Sequence, residues 1–97
     1  MEESLGIIET LGYATGMEAA DAAIKSANIK LADWVYAGSG KVNIIIRGDV
    51  AAVKTAVEAG VTAASRIGEV MGQAVIPRPA DNLKTIFPIS PLEEKKK

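Results

Sequence analysis

The sequence predicts an α+β domain whose elements run in the order βαββαβ, forming an antiparallel sheet with both helices packed on one face. Two Ala-rich segments carry apolar residues at helical spacing, four short segments are rich in Ile and Val, and glycines punctuate the joints between them. The chain has 97 residues, which suits one domain, since domains commonly hold ~100–150.

Ser4 to Leu11 reads as the first strand, with Ile7 and Ile8 on opposite faces. Gly12 breaks it. Thr15-Gly16-Met17-Glu18 fits a capping box and predicts a helix start there. Met17, Ala20, Ile24 and Ala27 share one face of that helix, and Glu18, Asp21, Lys25 and Asn28 share another. Ile29 to Ala37 is a second strand, in which Ile29, Leu31 and Val35 alternate with Lys30, Ala32, Trp34 and Tyr36. Gly38-Ser39-Gly40 is a tight turn, because glycine reaches positive φ cheaply. Val42, Ile44 and Ile46 then line one face of a third strand, completing a hairpin.

Gly48-Asp49 ends that strand, and Asp49 is a good N-cap. Val53, Ala56, Val57, Gly60 and Ala64 mark the buried stripe of a second helix, which Gly68 stops. Glu69 to Ile76 is a fourth strand, closed by Pro77-Arg78-Pro79. A short helical turn is expected over Asp81 to Ile86, placing the domain at 4–87 and a flexible charged tail at 88–97. The order is that of the ferredoxin-like split βαβ arrangement. It leaves the second sheet face open, with Ile8 or Ile45 available to point there, and an apolar free face invites a partner.

Composition narrows the function. Net charge is −1, and Lys95-Lys96-Lys97 follows Glu93-Glu94, so neither nucleic acid nor an anionic membrane has a basic surface to bind. No apolar run reaches the ~20 residues that span a bilayer. Met1-Glu2-Glu3 does not open a secretory signal, and the absence of cysteine fits a reducing cytoplasm. The chain has no histidine either, which removes the commonest general base and metal ligand. Asp21 and Lys25 stand one helical turn apart, the spacing of an ordinary surface ion pair. Gly38-Ser39-Gly40-Lys41 shares its glycines and lysine with a phosphate loop. However, a phosphate loop needs a glycine where Val35 stands, Ser or Thr where Val42 stands, and a helix after it rather than a strand. The residues alone describe a small oligomeric domain that is not an enzyme and holds no cofactor and no metal.

The stretch from Leu5 to Pro79 resembles the bacterial microcompartment (BMC) domain, whose landmarks occur in order. They are Gly6-Ile7-Ile8-Glu9-Thr10, Glu18-Ala19-Ala20-Asp21-Ala22, Lys25-Ser26-Ala27-Asn28, Gly38-Ser39-Gly40, Arg47-Gly48-Asp49-Val50, Gly68-Glu69-Val70 and Val75-Ile76-Pro77-Arg78-Pro79. The order of elements resembles the unpermuted single-domain form of the family. That form builds hexamers that pack edge to edge into a shell facet enclosing enzymes in the cytoplasm. The resemblance implies a pore at Ala37, Gly38, Ser39, Gly40 and Lys41, with six Ser39 hydroxyls able to hydrogen-bond small polar metabolites. It also implies a hexamer–hexamer edge at Asp21, Lys25, Asn28 and Arg78. The expected partners are the chain itself as a homohexamer, other shell proteins and encapsulated enzymes.

The chain departs from many relatives at Tyr36-Ala37, where Lys-Ile is frequent, at Lys41, where Leu or Arg is frequent, and at Ala74 and Ala80, where histidines often stand. If Lys41 faces the lumen, six copies favour anions. Carboxysomal and catabolic compartments both use this domain. Two other readings stay open: a ligand-binding regulatory module on the same topology, and a minor shell subunit of bent or non-hexagonal assembly.

Overall fold

The computed structural model describes residues 3–80. Six elements follow one another: β1 (Ser4–Leu11), α1 (Tyr13–Ser26), β2 (Lys30–Ala37), β3 (Lys41–Gly48), α2 (Val50–Ser65) and β4 (Val70–Ile76). The strands form one sheet in the order β2-β3-β1-β4, with every neighbouring pair antiparallel. This is the predicted ferredoxin-like arrangement. The expected turn over 81–86 and the expected tail lie outside the described residues.

Both helices cover one face of the sheet. Ile8, Val42, Ile44 and Ile46 point into a core completed by Ala19, Ala20 and Ala23 of α1 and by Val53, Ala56, Val57 and Ala64 of α2. Small residues let the layers approach closely. A methyl group at Gly60 would stand 2.7 Å from Ile8 Cδ1 and 2.9 Å from the Ala19 carbonyl oxygen. The stripe predicted for α2 is the stripe that is buried.

Helix α1 departs from prediction. It begins at Tyr13, two residues before the expected cap, because Gly12 at φ 92° turns the chain straight out of β1. Thr15 therefore lies inside the helix and makes no capping bond. Its side chain is buried against Gly68 at the α2–β4 turn. The buried face of α1 is Thr15, Gly16, Ala19, Ala20 and Ala23, while Met17 and Ile24, expected in the core, are exposed. Asp49 caps α2 as predicted, its carboxylate accepting from the Ala52 amide at 2.9 Å.

On the second sheet face Ile45 stands as expected, while Ile8 does not. Ile8 belongs to the helix-covered side, and Ile7 stands where Ile8 was expected. Leu5, Ala32 and Ile45 are fully buried on this face, so it is no open apolar sheet. The simple alternation expected in β2 is broken by a register shift between Leu31 and Asp33. The extra residue sends Leu31 and Trp34 to the helix side and Ala32 and Val35 to the other.

Candidate functional site

Chain direction sorts the predicted site residues into two groups. Strand β1 rises to Leu11, α1 returns, β2 rises to the hairpin tip, β3 returns, α2 rises and β4 returns. Ala37, Gly38, Ser39, Gly40 and Lys41 thus sit at one end of the domain. Asn28, Lys25 and Arg78 sit at or near the other, with Asp21 one turn back along α1. An eight-residue strand separates the ends, roughly 25 Å at the usual rise.

The hairpin end is fixed by backbone. Ser39 has φ 64° and Gly40 has φ 79°. Two successive left-handed residues match the right-handed twist of the flanking strands. The Lys41 amide donates to the Gly38 carbonyl at 3.3 Å and closes the turn. Of the two glycines expected to take positive φ, only Gly40 does so, and the other left-handed position is held by Ser39. A non-glycine residue there costs about 1–2 kcal/mol, so a glycine in place of Ser39 would relax the turn. Ser39 is exposed at the tip. The tip is tethered from below, because the Gly12 amide donates to the Gly40 carbonyl at 2.7 Å. Gly12 carries φ 92° in doing so, a conformation that disfavours any side chain.

The opposite end is built from side chains. Lys25 and Asp21 form an ion pair at 2.9 Å on the exposed face of α1. The hydrogen bond that Lys25 donates to the Asp21 carboxylate, and then the charge of that carboxylate, push the Lys25 pKa up. Asn28 is exposed beyond the helix end and Arg78 is exposed beyond β4. The Ser4 hydroxyl donates to the Pro77 carbonyl at 2.9 Å and pins the segment that carries Arg78.

Sequence reading missed two features. On the sheet face away from the helices, Asn43 Nδ2 donates to Glu9 Oε2 at 3.2 Å across the β1–β3 pair. Lys41 precedes Asn43 by two residues and shares its face, so an amine, an amide and a carboxylate gather toward the hairpin end. The other is an aromatic trio. Tyr13 meets Trp34 edge-on at 5.3 Å between centroids and stacks near Tyr36 at 6.4 Å. Only register places Tyr13 beside β2, so strand alternation could not reveal it. Among the described residues no group of three or more acidic, His or Cys side chains could hold a metal, and no helix is long and apolar enough to cross a membrane.

The model of the BMC domain family matches residues 4–79, nearly all of the described residues. The chain belongs to the BMC domain family. It is 49% identical over 87 residues to the bacterial microcompartment shell protein PduA of Citrobacter freundii, covering 90% of this chain and 94% of the relative. It is 49% identical to the shell protein EutM of Salmonella typhimurium, covering 91% and 92%. It is 43% identical to the carboxysome shell protein CcmK2 of a Synechocystis strain, covering 97% and 93%. A solved microcompartment protein from Desulfitobacterium hafniense superposes with a TM-score of 0.78 at 36% identity, over 88% of this chain. This BMC domain spans 46% of that protein's chain. This BMC chain is a microcompartment shell subunit.

Proposed function

We propose that six copies of this shell subunit form a ring with the hairpin ends inward, so that Ala37, Gly38, Ser39, Gly40 and Lys41 frame a central pore. Asp21, Lys25, Asn28 and Arg78 then lie on the outer rim, where neighbouring rings meet in the facet. The observation that carries this reading is the left-handed Ser39 at a tethered tip. It supports a role for the hydroxyl at a position where backbone conformation alone favours glycine. Six such hydroxyls around a narrow opening offer donors and acceptors to small polar metabolites, with no side chain larger than serine between Gly38 and Gly40. Lys41 is half-buried next to the turn, and with its side chain turned to the lumen it adds six ammonium groups at the pore mouth, which favours anions.

The subunit acts by passage and assembly, without catalysis. Its partners are copies of itself, other shell proteins and the enzymes the shell encloses. Short connections support this over a regulatory ligand-binding module, since the longest between the described elements, 66–69, has four residues. A native mass of six 10.1 kDa subunits is the first expected outcome. The second is that shells carrying Ser39→Phe assemble normally but pass small polar solutes more slowly. Unchanged passage would remove the pore assignment.

A further inference from the structure

Strand register arranges the sheet face away from the helices in rows. Nearest the hairpin tip stand Lys41 of β3 and its partner Leu11 of β1. The next row holds Asn43, its partner Glu9, and Gly72 of β4 beside Glu9. Successive rows lie roughly 7 Å apart along a strand. Behind them the face turns apolar with Ile45 and Ile7. Lys41, Asn43 and Glu9 are all half-buried.

Glu9 is held on one side and open on the other. Asn43 Nδ2 donates to Glu9 Oε2 at 3.2 Å, which orients the carboxylate across the β1–β3 pair. Oε1 carries no hydrogen bond among the described residues. On the β4 side Gly72 has no side chain, and even a methyl group there would meet no atom within 4 Å. The carboxylate thus borders a gap instead of a packed neighbour. Leu11, 40% exposed, stands between that gap and the tip.

Charge on this part of the face is mixed. Lys41 brings an ammonium group and Glu9 a carboxylate, and among the described residues the two form no ion pair. Each is available to a third molecule. An anion gains at Lys41 and is repelled at Glu9, and a cation meets the reverse. A hydroxyl group both donates and accepts, so a small molecule with several of them satisfies carboxylate, amide and ammonium together. The Gly38-Ser39-Gly40 turn holds no charge, so selection by charge falls to the rows behind it. In a ring of six, six ammonium groups are offset by six carboxylates just outside them.

We propose that Glu9, held by Asn43, is a specificity-determining residue of this shell subunit. With Lys41 it makes the pore mouth on this face a binding site for small neutral polyhydroxylated solutes and turns away ions of either sign. This deepens the pore reading above and rests on it.

The test uses shells assembled with the full chain and three probes of one carbon frame: glycerol, glycerate and 2,3-dihydroxypropylammonium. Wild-type shells should pass glycerol several-fold faster than either ion. Glu9→Gln keeps an acceptor for Asn43 and removes only the charge, so the native mass should stay at six copies. Its glycerate passage should rise roughly tenfold, the lower end of what a cleft of one charge sign does for a counter-ion, and passage of the ammonium probe should fall. Lys41→Gln is the mirror test and does not depend on Glu9→Gln folding: it should speed the ammonium probe and slow glycerate. Unchanged ion passage in either variant, with Ser39→Phe still slowing glycerol, would overturn the inference and leave the pore standing. Glycerol passage untouched by Ser39→Phe would instead remove the pore, and the inference with it.

Discussion

The hairpin end and the α1–β4 end of this domain are built on different principles. At the hairpin, geometry comes from backbone: two left-handed residues, a closing amide and the Gly12 tether. No residue from Gly38 to Gly40 ionises. At the other end the groups proposed to meet a neighbouring ring are polar side chains, and Lys25 and Asp21 are held by one another in solvent. A pore must keep its bore as conditions change, and backbone turns are indifferent to salt and pH. A joint between rings must form and yield, and exposed ion pairs are screened within about 10 Å at 0.1 M salt. Tiling of rings should therefore weaken as ionic strength rises while the ring persists. Light scattering alongside native mass measurement checks both.

The largest expected effect breaks the comparison by striking both ends at once. Gly60→Ala drives a methyl group against the Ala19 carbonyl, which cannot rotate away. It should cost about 1–3 kcal/mol, as overpacked cores do, and chemical denaturation should show it. Asp49→Ala is confined to the α1–β4 end, where it removes the bond to the Ala52 amide. A loss of about 1 kcal/mol is expected, with the hairpin unaffected as judged by amide exchange at Gly40 and Lys41.

Ser39→Gly sharpens the contrast. It relieves the left-handed strain, so stability should hold or rise by up to about 1 kcal/mol, while passage of polar solutes changes. The smallest effect on stability belongs to Lys25→Ala. The pair is exposed, so the melting temperature should not move. Sheets of rings should nevertheless fail under electron microscopy. In wild type the hydrogen bond and charge of Asp21 raise the Lys25 pKa. The pair therefore persists while the lysine is protonated and is lost only as pH climbs past that raised value. Sheets should survive mild alkali.

Much of this was legible in the residues. Element order, the α2 stripe and the Asp49 cap follow from periodicity and capping chemistry alone. Helix α1 did not, because two apolar patterns overlap on it. The alanines at 19, 20 and 23 pack inward, while Tyr13, Met17 and Ile24 form a stripe of equal regularity that the single domain leaves bare. Periodicity reports that a face is apolar and is silent on which molecule covers it. The same silence explains the false capping box, since Thr15 fits the pattern but Gly12 starts the helix earlier. Bulges at Ala32 and Met71 escaped because a single inserted residue leaves no local signature. The proposed pore and edge residues rest on resemblance, and the placement of those residues at two ends of the domain became visible only with the topology.

The central claim is that hairpin tips converge on a rotation axis and that Lys25 lies far from it. Spin labels placed singly at Ser39→Cys and Lys25→Cys in isolated hexamers measure this by pulsed dipolar spectroscopy. The account predicts that labels at position 39 lie much closer together than labels at position 25. Labels at 39 lying farther apart than those at 25 would contradict it.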